Sequence, residues 1–364
     1  MRILVTGGAG FIGSHLVRAL LRQGDEVVVF DRVPVPHLLQ DIMDSITYVQ
    51  GDSASDLDLY RAVATNGIEG IFHLGALMAG VCEQNPPLAF QVNFRSTQVL
   101  LDAAVACGVK RFFFMSSISL YSPTSVEPVP EDAPKDPATI YGQTKLAGEH
   151  LLRWYADNHG IDSRGIRPTW VWGPNRTNGL TTQYTTGLVD SIARGGEVHV
   201  DNPDERGDWI YIHDTIKAML LVWNAEKPAQ RFYTVCGSVH TLREVAELTN
   251  RLCPEAKVTY AEHSANTSPY ACSFDDSAIR KELGLRARMV HRGLRKGLYP
   301  RGHGKRLAIG MVDRRGGEGL LKKRLSPAST SSFPRLLKGM CMAVLLGVCN
   351  WVHPCCNLRH AARS

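Results

Sequence analysis

The chain has 364 residues, 44% of them hydrophobic and 21% charged, enough for a sizeable core in one large domain or two. No apolar run reaches the roughly 18 residues of a membrane span. No secretory h-region follows Met1, and the 9 cysteines contain no C-x-x-C pair, so reduced thiols and a cytoplasmic location are expected. The net charge of +6 is unevenly spread: Ala287–Ser364 holds 16 Lys and Arg against 2 acids, +14, which leaves −8 on the preceding residues.

The first part of the chain alternates two patterns. Arg2–Thr6 is a short apolar strand that ends in glycines, and Phe11–Gln23 has helical spacing. Val27–Phe30 is a continuous apolar run, as expected for a strand buried on both faces. Ile46–Gln50, Gly70–Leu74, Lys110–Met115 and Asp162–Arg167 read as further strands. Asp56–Thr65, Pro87–Ala106 and Ile140–His159 read as the helices between them. This alternation predicts an α/β fold, a parallel, doubly wound sheet. After Arg167, prolines and glycines loosen the pattern. Leu180–Arg194, His213–Asn224, Leu242–Leu252 and Ser277–Leu283 predict helices, and Phe232–Cys236 a strand. The expected division is a dinucleotide-binding domain over 1–167, a smaller C-terminal substrate lobe over 168–287 with some strands returning to the main sheet, and a basic tail over 288–364.

The turn after the first strand reads Thr6-Gly7-Gly8-Ala9-Gly10-Phe11-Ile12-Gly13. Gly7 permits a tight turn, Gly10 lets the backbone approach a pyrophosphate, and Gly13 lets the helix pack close to the strand. The N–H groups of Phe11, Ile12 and Gly13 then face phosphates at a helix N-terminus. Asp31 ends the second strand, where an acid accepts both ribose hydroxyls of NAD and repels a 2′-phosphate, so NAD is favoured over NADP. Asp52, after the third strand, is a candidate for the adenine amino group, or a plain turn aspartate.

Tyr141-Gly142-Gln143-Thr144-Lys145 places Tyr141 and Lys145 on one helical face. An ammonium beside a phenol favours the phenolate, so Lys145 is expected to lower the pKa of Tyr141. Ser116-Ser117 ends the strand before it, at the rim where doubly wound sheets bind ligands. Together these residues predict hydride transfer, with Tyr141 as base on a substrate hydroxyl.

The stretches TGGAGFIGSHLV, FHLGA, VKRFFFMSSISLY, YGQTKLAGE, RPTWVWGP and DWIYIHD resemble the extended short-chain dehydrogenase/reductases, the NAD-dependent epimerase/dehydratase group, from Met1 to about Arg286. The resemblance implies a Rossmann-type fold with NAD in the N-terminal lobe and substrate in the C-terminal one. It selects Ser117 over Ser116 as the catalytic serine, matches Leu74 and Ala76 to cofactor contacts, and matches Asn93 to a helix asparagine near the cofactor. It implies a homodimer through the helices around 87–106 and 140–159. Met78, Ser119 and Arg206 are the candidate substrate contacts; no metal is expected.

Two departures bear on the substrate. Ile118 and Ser119 stand where the 4,6-dehydratases carry Asp-Glu, which disfavours dehydration. Nucleotide-sugar enzymes carry a diphosphate-gripping arginine directly before the aspartate aligned with Asp208. Here that position is Gly207, Arg206 is displaced by one residue, and Asp201, Asp204 and Glu205 precede it. The expected function is hydride transfer between NAD and a secondary alcohol of a sugar nucleotide or a similar substrate. The alternative rests on His73–Met78, Glu83–Pro86 and Gly179–Tyr184, which resemble the short-chain L-threonine 3-dehydrogenases. A non-catalytic NAD-binding regulatory protein is a third reading, opposed by the intact Ser117, Tyr141 and Lys145.

Periodicity and motif both stop near Arg288, and the tail reads as the product of a wrong reading frame. It is expected to be disordered and to carry no part of the site; contact with nucleic acid or membrane is not expected of it.

Overall fold

The computed structural model describes residues 1–177, 179, 182–262 and 270–287; the basic tail, with the disorder expected of it, falls outside them. In chain order the first elements are β1 (Arg2–Thr6), α1 (Phe11–Gln23), β2 (Glu26–Asp31), β3 (Ile46–Gln50), α2 (Asp56–Ala64), β4 (Gly70–His73), α3 (Ala79–Gln84) and α4 (Pro86–Ala89). Then come α5 (Ser96–Cys107), β5 (Arg111–Met115), α6 (Ile140–His159), β6 (Asp162–Pro168), β7 (Trp170–Trp172) and α7 (Thr186–Arg194). The last are β8 (Gly196–Val200), β9 (Arg206–Tyr211), α8 (Ile212–Asn224), β10 (Phe232–Val235), β11 (Ser238–Thr241), α9 (Leu242–Leu252), β12 (Ala256–Tyr260) and α10 (Ser277–Leu283).

Seven strands form one sheet in the order β3-β2-β1-β4-β5-β6-β10, every pairing parallel. Alternate residues of each strand feed opposite faces. Ile3 and Val5 join Leu16, Val17 and Leu20 of α1 and Met219 and Val222 of α8 in one core. Leu4, Val28 and Phe30 join Leu59 of α2, Leu100 and Leu101 of α5 and Leu152 of α6 in the other. Each such side chain contributes about 1.5–3 kcal/mol by leaving water, which is why the strands read as unbroken apolar runs. This is the doubly wound, Rossmann-type sheet; strand order reverses between β1 and β4, which opens a crevice at their carboxyl ends.

The remaining strands make a three-stranded sheet, β11-β9-β7, and a two-stranded one, β12-β8. Strand β10 and helix α8 return to the main sheet.

Two helices differ from expectation. The segment read as one helix over Pro87–Ala106 is α4, a π-helical turn over Phe90–Arg95, and then α5. Hydroxyls take up the carbonyls that the wider turn exposes: Ser96 Oγ donates to the carbonyl of Val92, and Thr97 Oγ1 donates to that of Asn93 at 2.8 Å. The helix read over Leu180–Arg194 is formed from Thr186 onward, and Leu180 and Thr181 lie outside the described residues.

Candidate active site

The glycine loop closes over the ends of β1 and β4. Gly7 has φ 67°, and a Cβ there would stand 2.8 Å from the amide nitrogen of Gly75. A Cβ on Gly13 would stand 2.2 Å from the carbonyl oxygen of Gly7. Both positions therefore admit glycine alone. Gly10 precedes α1 as its N-cap and caps nothing with a side chain, so the first N–H groups of α1 are left without a side-chain cap. Asp31 ties this loop to β2: its Oδ2 accepts from the amide of Ala9 at 3.0 Å, and its Oδ1 accepts from that of Val33 at 3.3 Å. Asp52 is exposed and shapes the turn before α2, where its Oδ1 accepts from the amide of Ala54 at 2.9 Å.

After β4 the chain crosses the crevice. The Leu74 amide donates to the carbonyl of Thr6 at 3.2 Å, and Ala76 follows half-buried. Asn93, 1% exposed, holds this crossing from behind. Its Oδ1 accepts from the Leu77 amide at 2.7 Å, while its Nδ2 donates to the Leu77 carbonyl at 3.0 Å and to Thr144 Oγ1 at 3.2 Å. The side chain thus positions the loop. His73, which the motif reading left without a role, lies between Thr6 Oγ1 at 2.7 Å and Thr97 Oγ1 at 3.1 Å. Burial holds its pKa down to about 3, so it is a neutral pin between β1, β4 and α5.

The three residues expected to do chemistry converge at the end of β5 and the start of α6. Ser116 points away: its hydroxyl donates to Glu149 Oε1 at 2.6 Å, and Glu149 is held by Arg167 through contacts of 2.7 and 2.8 Å. That buried pair accounts for Ser116 and leaves Ser117 facing the crevice. Ser117 accepts from the amide of Ser119 at 3.2 Å, and its hydroxyl acts on the phenol of Tyr141 to ease ionisation. Thr139 caps α6 by accepting from Gly142, and Glu83 Oε1 accepts from the Tyr141 amide at 3.3 Å. Tyr141 is therefore fixed at the first turn of α6, with Lys145 one turn on.

Lys145 is 3% exposed, donates to the carbonyl of Met115 at 2.8 Å, and lies 5.6 Å from the centre of the Tyr141 ring. Burial lowers its pKa to about 8. Burial also raises the pKa of Tyr141, with smaller upward contributions from Tyr270 and Cys82; the Ser117 hydroxyl and the charge of Arg176 pull it down. This differs from the sequence expectation that Lys145 would do so. Its ammonium is turned to the Met115 carbonyl, and desolvation outweighs any attraction it offers the phenolate.

The candidate substrate contacts divide. Met78 is exposed at the head of α3, and Ser119, 2% exposed, has a hydroxyl with no partner among the described residues. Arg206 is 53% exposed, and its guanidinium reaches Glu127 at 3.8 Å. Gly207 lies under the indole of Trp170; a Cβ there would stand 2.3 Å from the ring. Sequence reasoning gave no role to Glu83, Glu149, Trp170, Arg176 or Tyr270. Trp170 and Arg167 stand in a quoted motif, but nothing local marks their contacts. No cluster of potential metal ligands occurs among the described residues, nor any helix long and apolar enough to cross a membrane.

Residues 3–236 match the NAD dependent epimerase/dehydratase family. The chain is 31% identical to the mitochondrial L-threonine 3-dehydrogenase of Bos taurus over 294 residues, 78% of each chain. It is 32% identical to the UDP-glucose 4-epimerase of Mycolicibacterium smegmatis over 256 residues, 67% of this chain and 80% of the relative. The solved L-threonine dehydrogenase of Cupriavidus necator superposes with a TM-score of 0.72 at 25% identity, covering 81% of this chain and 98% of that one. The glycine cradle fits NAD, and the chain belongs to the NAD-dependent epimerase/dehydratase family, the extended short-chain dehydrogenase/reductases, as one of its enzymes.

Proposed function

We propose that the protein is a net dehydrogenase that oxidises a small secondary alcohol. The observation that carries this reading is Trp170 over Gly207. At the position where a nucleotide-sugar enzyme of this type carries its diphosphate arginine, a side chain would collide with the indole at 2.3 Å. The neighbouring Arg206 is turned toward Glu127 instead. Three acids precede it in Asp201–Glu205, and they repel a diphosphate.

The glycine loop and Asp31 would hold NAD, which when bound would supply the hydride acceptor. The protein residues do the rest. Ser117 hydrogen-bonds the substrate oxygen and aligns it with Tyr141. Tyr141, as phenolate, takes the hydroxyl proton while the carbinol carbon gives up its hydride, and a ketone leaves. Lys145, fixed on the Met115 carbonyl, supplies positive charge beneath the phenol.

A second reading keeps the same first half-reaction on a sugar nucleotide and returns the hydride to the opposite face. The 32% identity to a UDP-glucose 4-epimerase favours it. Production of NADH absorbance across a panel of secondary alcohols, beside UDP-glucose epimerisation, separates the two. Net NADH from an alcohol, lost by about 10² to 10⁴ in Tyr141→Phe with NAD affinity kept, is the expected result. Epimerisation of UDP-glucose without net NADH would overturn the dehydrogenase reading.

A further inference from the structure

Two side chains of α6 hold the end of β5. Lys145 donates to the carbonyl of Met115 at 2.8 Å, and one turn on, Glu149 Oε1 accepts from the hydroxyl of Ser116 at 2.6 Å. The Ser116 amide closes the β5–β6 ladder on the carbonyl of Ile166 at 3.0 Å. Ser117 follows in extended backbone, φ −161° and ψ 154°, so its side chain leaves on the face opposite to that of Ser116. Committing Ser116 to Glu149 therefore turns Ser117 to the crevice. Helix α6 thus carries Tyr141 and, two turns later, the tie that aims the serine at it.

Glu149 is gripped in turn by Arg167 of β6. Arg167 Nε donates to Oε1 at 2.8 Å and Nη2 to Oε2 at 2.7 Å. The third arm, Nη1, donates to the phenol oxygen of Tyr121 at 3.2 Å, and that phenol donates to the carbonyl of Glu131 at 3.0 Å. Tyr121 ends the 3-10 turn over Ile118–Leu120 that Ser117 begins, and its amide donates to the carbonyl of Ile118 at 3.1 Å. One guanidinium therefore holds both ends of the segment Ser116–Tyr121, directly at Tyr121 and through Glu149 at Ser116, and Ser117 lies inside it. The clamp is buried: Ser116 is 1% exposed, Tyr121 2%, Glu149 4% and Arg167 6%. Desolvation of two charges offsets most of what such a pair adds to stability. Its planar, bidentate geometry still fixes direction.

We propose that Glu149 and Arg167 are positioning residues for Ser117: by clamping Ser116 and Tyr121 they fix its hydroxyl against Tyr141. Both act through the segment they hold, not by contact with the reacting atoms. A serine displaced by an ångström costs up to about 10²-fold in rate. The Ser117 hydroxyl also eases ionisation of Tyr141, so a misplaced serine leaves the phenol with a higher pKa. A base with a higher pKa is protonated sooner as pH falls, and the acidic limb of the rate profile moves to higher pH. The proposal rests on Ser117 and Tyr141 as the reacting pair and holds for net oxidation and for epimerisation alike.

The test uses the full chain with NAD and whichever compound of the panel above, UDP-glucose included, is turned over fastest. Arg167→Lys keeps a charge but not the three-way reach, and should lower kcat with KM kept. Should that variant fail to fold, Ser116→Ala removes one hydroxyl and leaves the ion pair whole. In Ser116→Ala kcat should fall about 10- to 100-fold, with KM and the NAD dissociation constant within about two-fold. Ser116→Thr keeps a hydroxyl and should return most of the rate. Tyr121→Phe frees the other end of the segment and should lower kcat as well. Added to Ser117→Ala, Ser116→Ala should cost less than about two-fold more, because an absent serine needs no positioning. The acidic limb of kcat should move to higher pH in Ser116→Ala, which a loss of stability alone does not produce. Full rate in Ser116→Ala, an undiminished loss when it is added to Ser117→Ala, or an unmoved acidic limb overturns the proposal. A Ser117→Ala variant that keeps the wild-type rate removes instead the site reading beneath it.

Discussion

Lys145 offers a stability measurement that needs no substrate. Its ammonium is 3% exposed, and burial lowers its pKa from 10.5 to about 8. Between those two values the unfolded chain holds the proton and the folded chain does not, so unfolding takes up a proton. Raising the pH therefore penalises unfolding. The contribution is fully present above pH 10.5 and is lost as pH falls through 8. At 1.36 kcal/mol per unit, the folded state should gain about 3 kcal/mol from this group between pH 7 and pH 10.5. Replacing Lys145 by Met removes the titration while keeping most of the buried volume. It also orphans the Met115 carbonyl, an offset that does not vary with pH. Urea unfolding of Tyr141→Phe and of Tyr141→Phe/Lys145→Met, compared across this range, keeps the phenol out of the balance. The difference between the two curves should widen in favour of the lysine form as pH rises. Parallel curves would refute the claim that Lys145 is buried with a strongly lowered pKa.

Gly13→Ala should abolish NAD binding and destabilise the fold, because its Cβ would stand 2.2 Å from the Gly7 carbonyl oxygen; near-normal NAD affinity by fluorescence titration would contradict that packing. Asp31→Ala should weaken NAD by about ten-fold or more and narrow the preference over NADP, since it removes both a ribose acceptor and the partner of the Ala9 amide. A wild type that already prefers NADP would oppose the assignment. Trp154→Glu should shift a homodimer toward monomer in sedimentation, because Trp154 is half-exposed on α6, one of the helices expected at the subunit contact. An unchanged sedimentation coefficient would count against that face.

The main sheet was readable because burial on both faces leaves a one-dimensional record: Ile3-Leu4-Val5 and Val27–Phe30 could hardly be anything else. The substrate lobe left no such record. Strands β8 and β12 each expose much of their length and pair with each other across more than fifty residues, so neither shows alternation or a hairpin turn. The π-helical turn at Phe90–Arg95 escaped for another reason. Helical spacing persists through it, and only the Ser96 and Thr97 hydroxyls bonding backward mark it.

The site divides along the same line. Residues fixed by local geometry were legible: the glycine loop, Tyr141 and Lys145 one turn apart, and a serine at a strand end. What those residues do to one another was not. Nothing in the pair Tyr141–Lys145 says that the ammonium is bonded to Met115, or that Ser116 is committed to Glu149. The substrate side depends wholly on such long-range contacts. Gly207 alone reads as the loss of an arginine, and Trp170 alone as a core aromatic. Only when β7 lies beside β9 does the indole cover the glycine, which turns an apparent deletion into a filled position. A single substitution of Gly207 to Arg would therefore not create a diphosphate site; the indole must leave as well. Trp170→Ala/Gly207→Arg is the smallest change that could admit the grip, and the two changes should be strongly non-additive because they share one space.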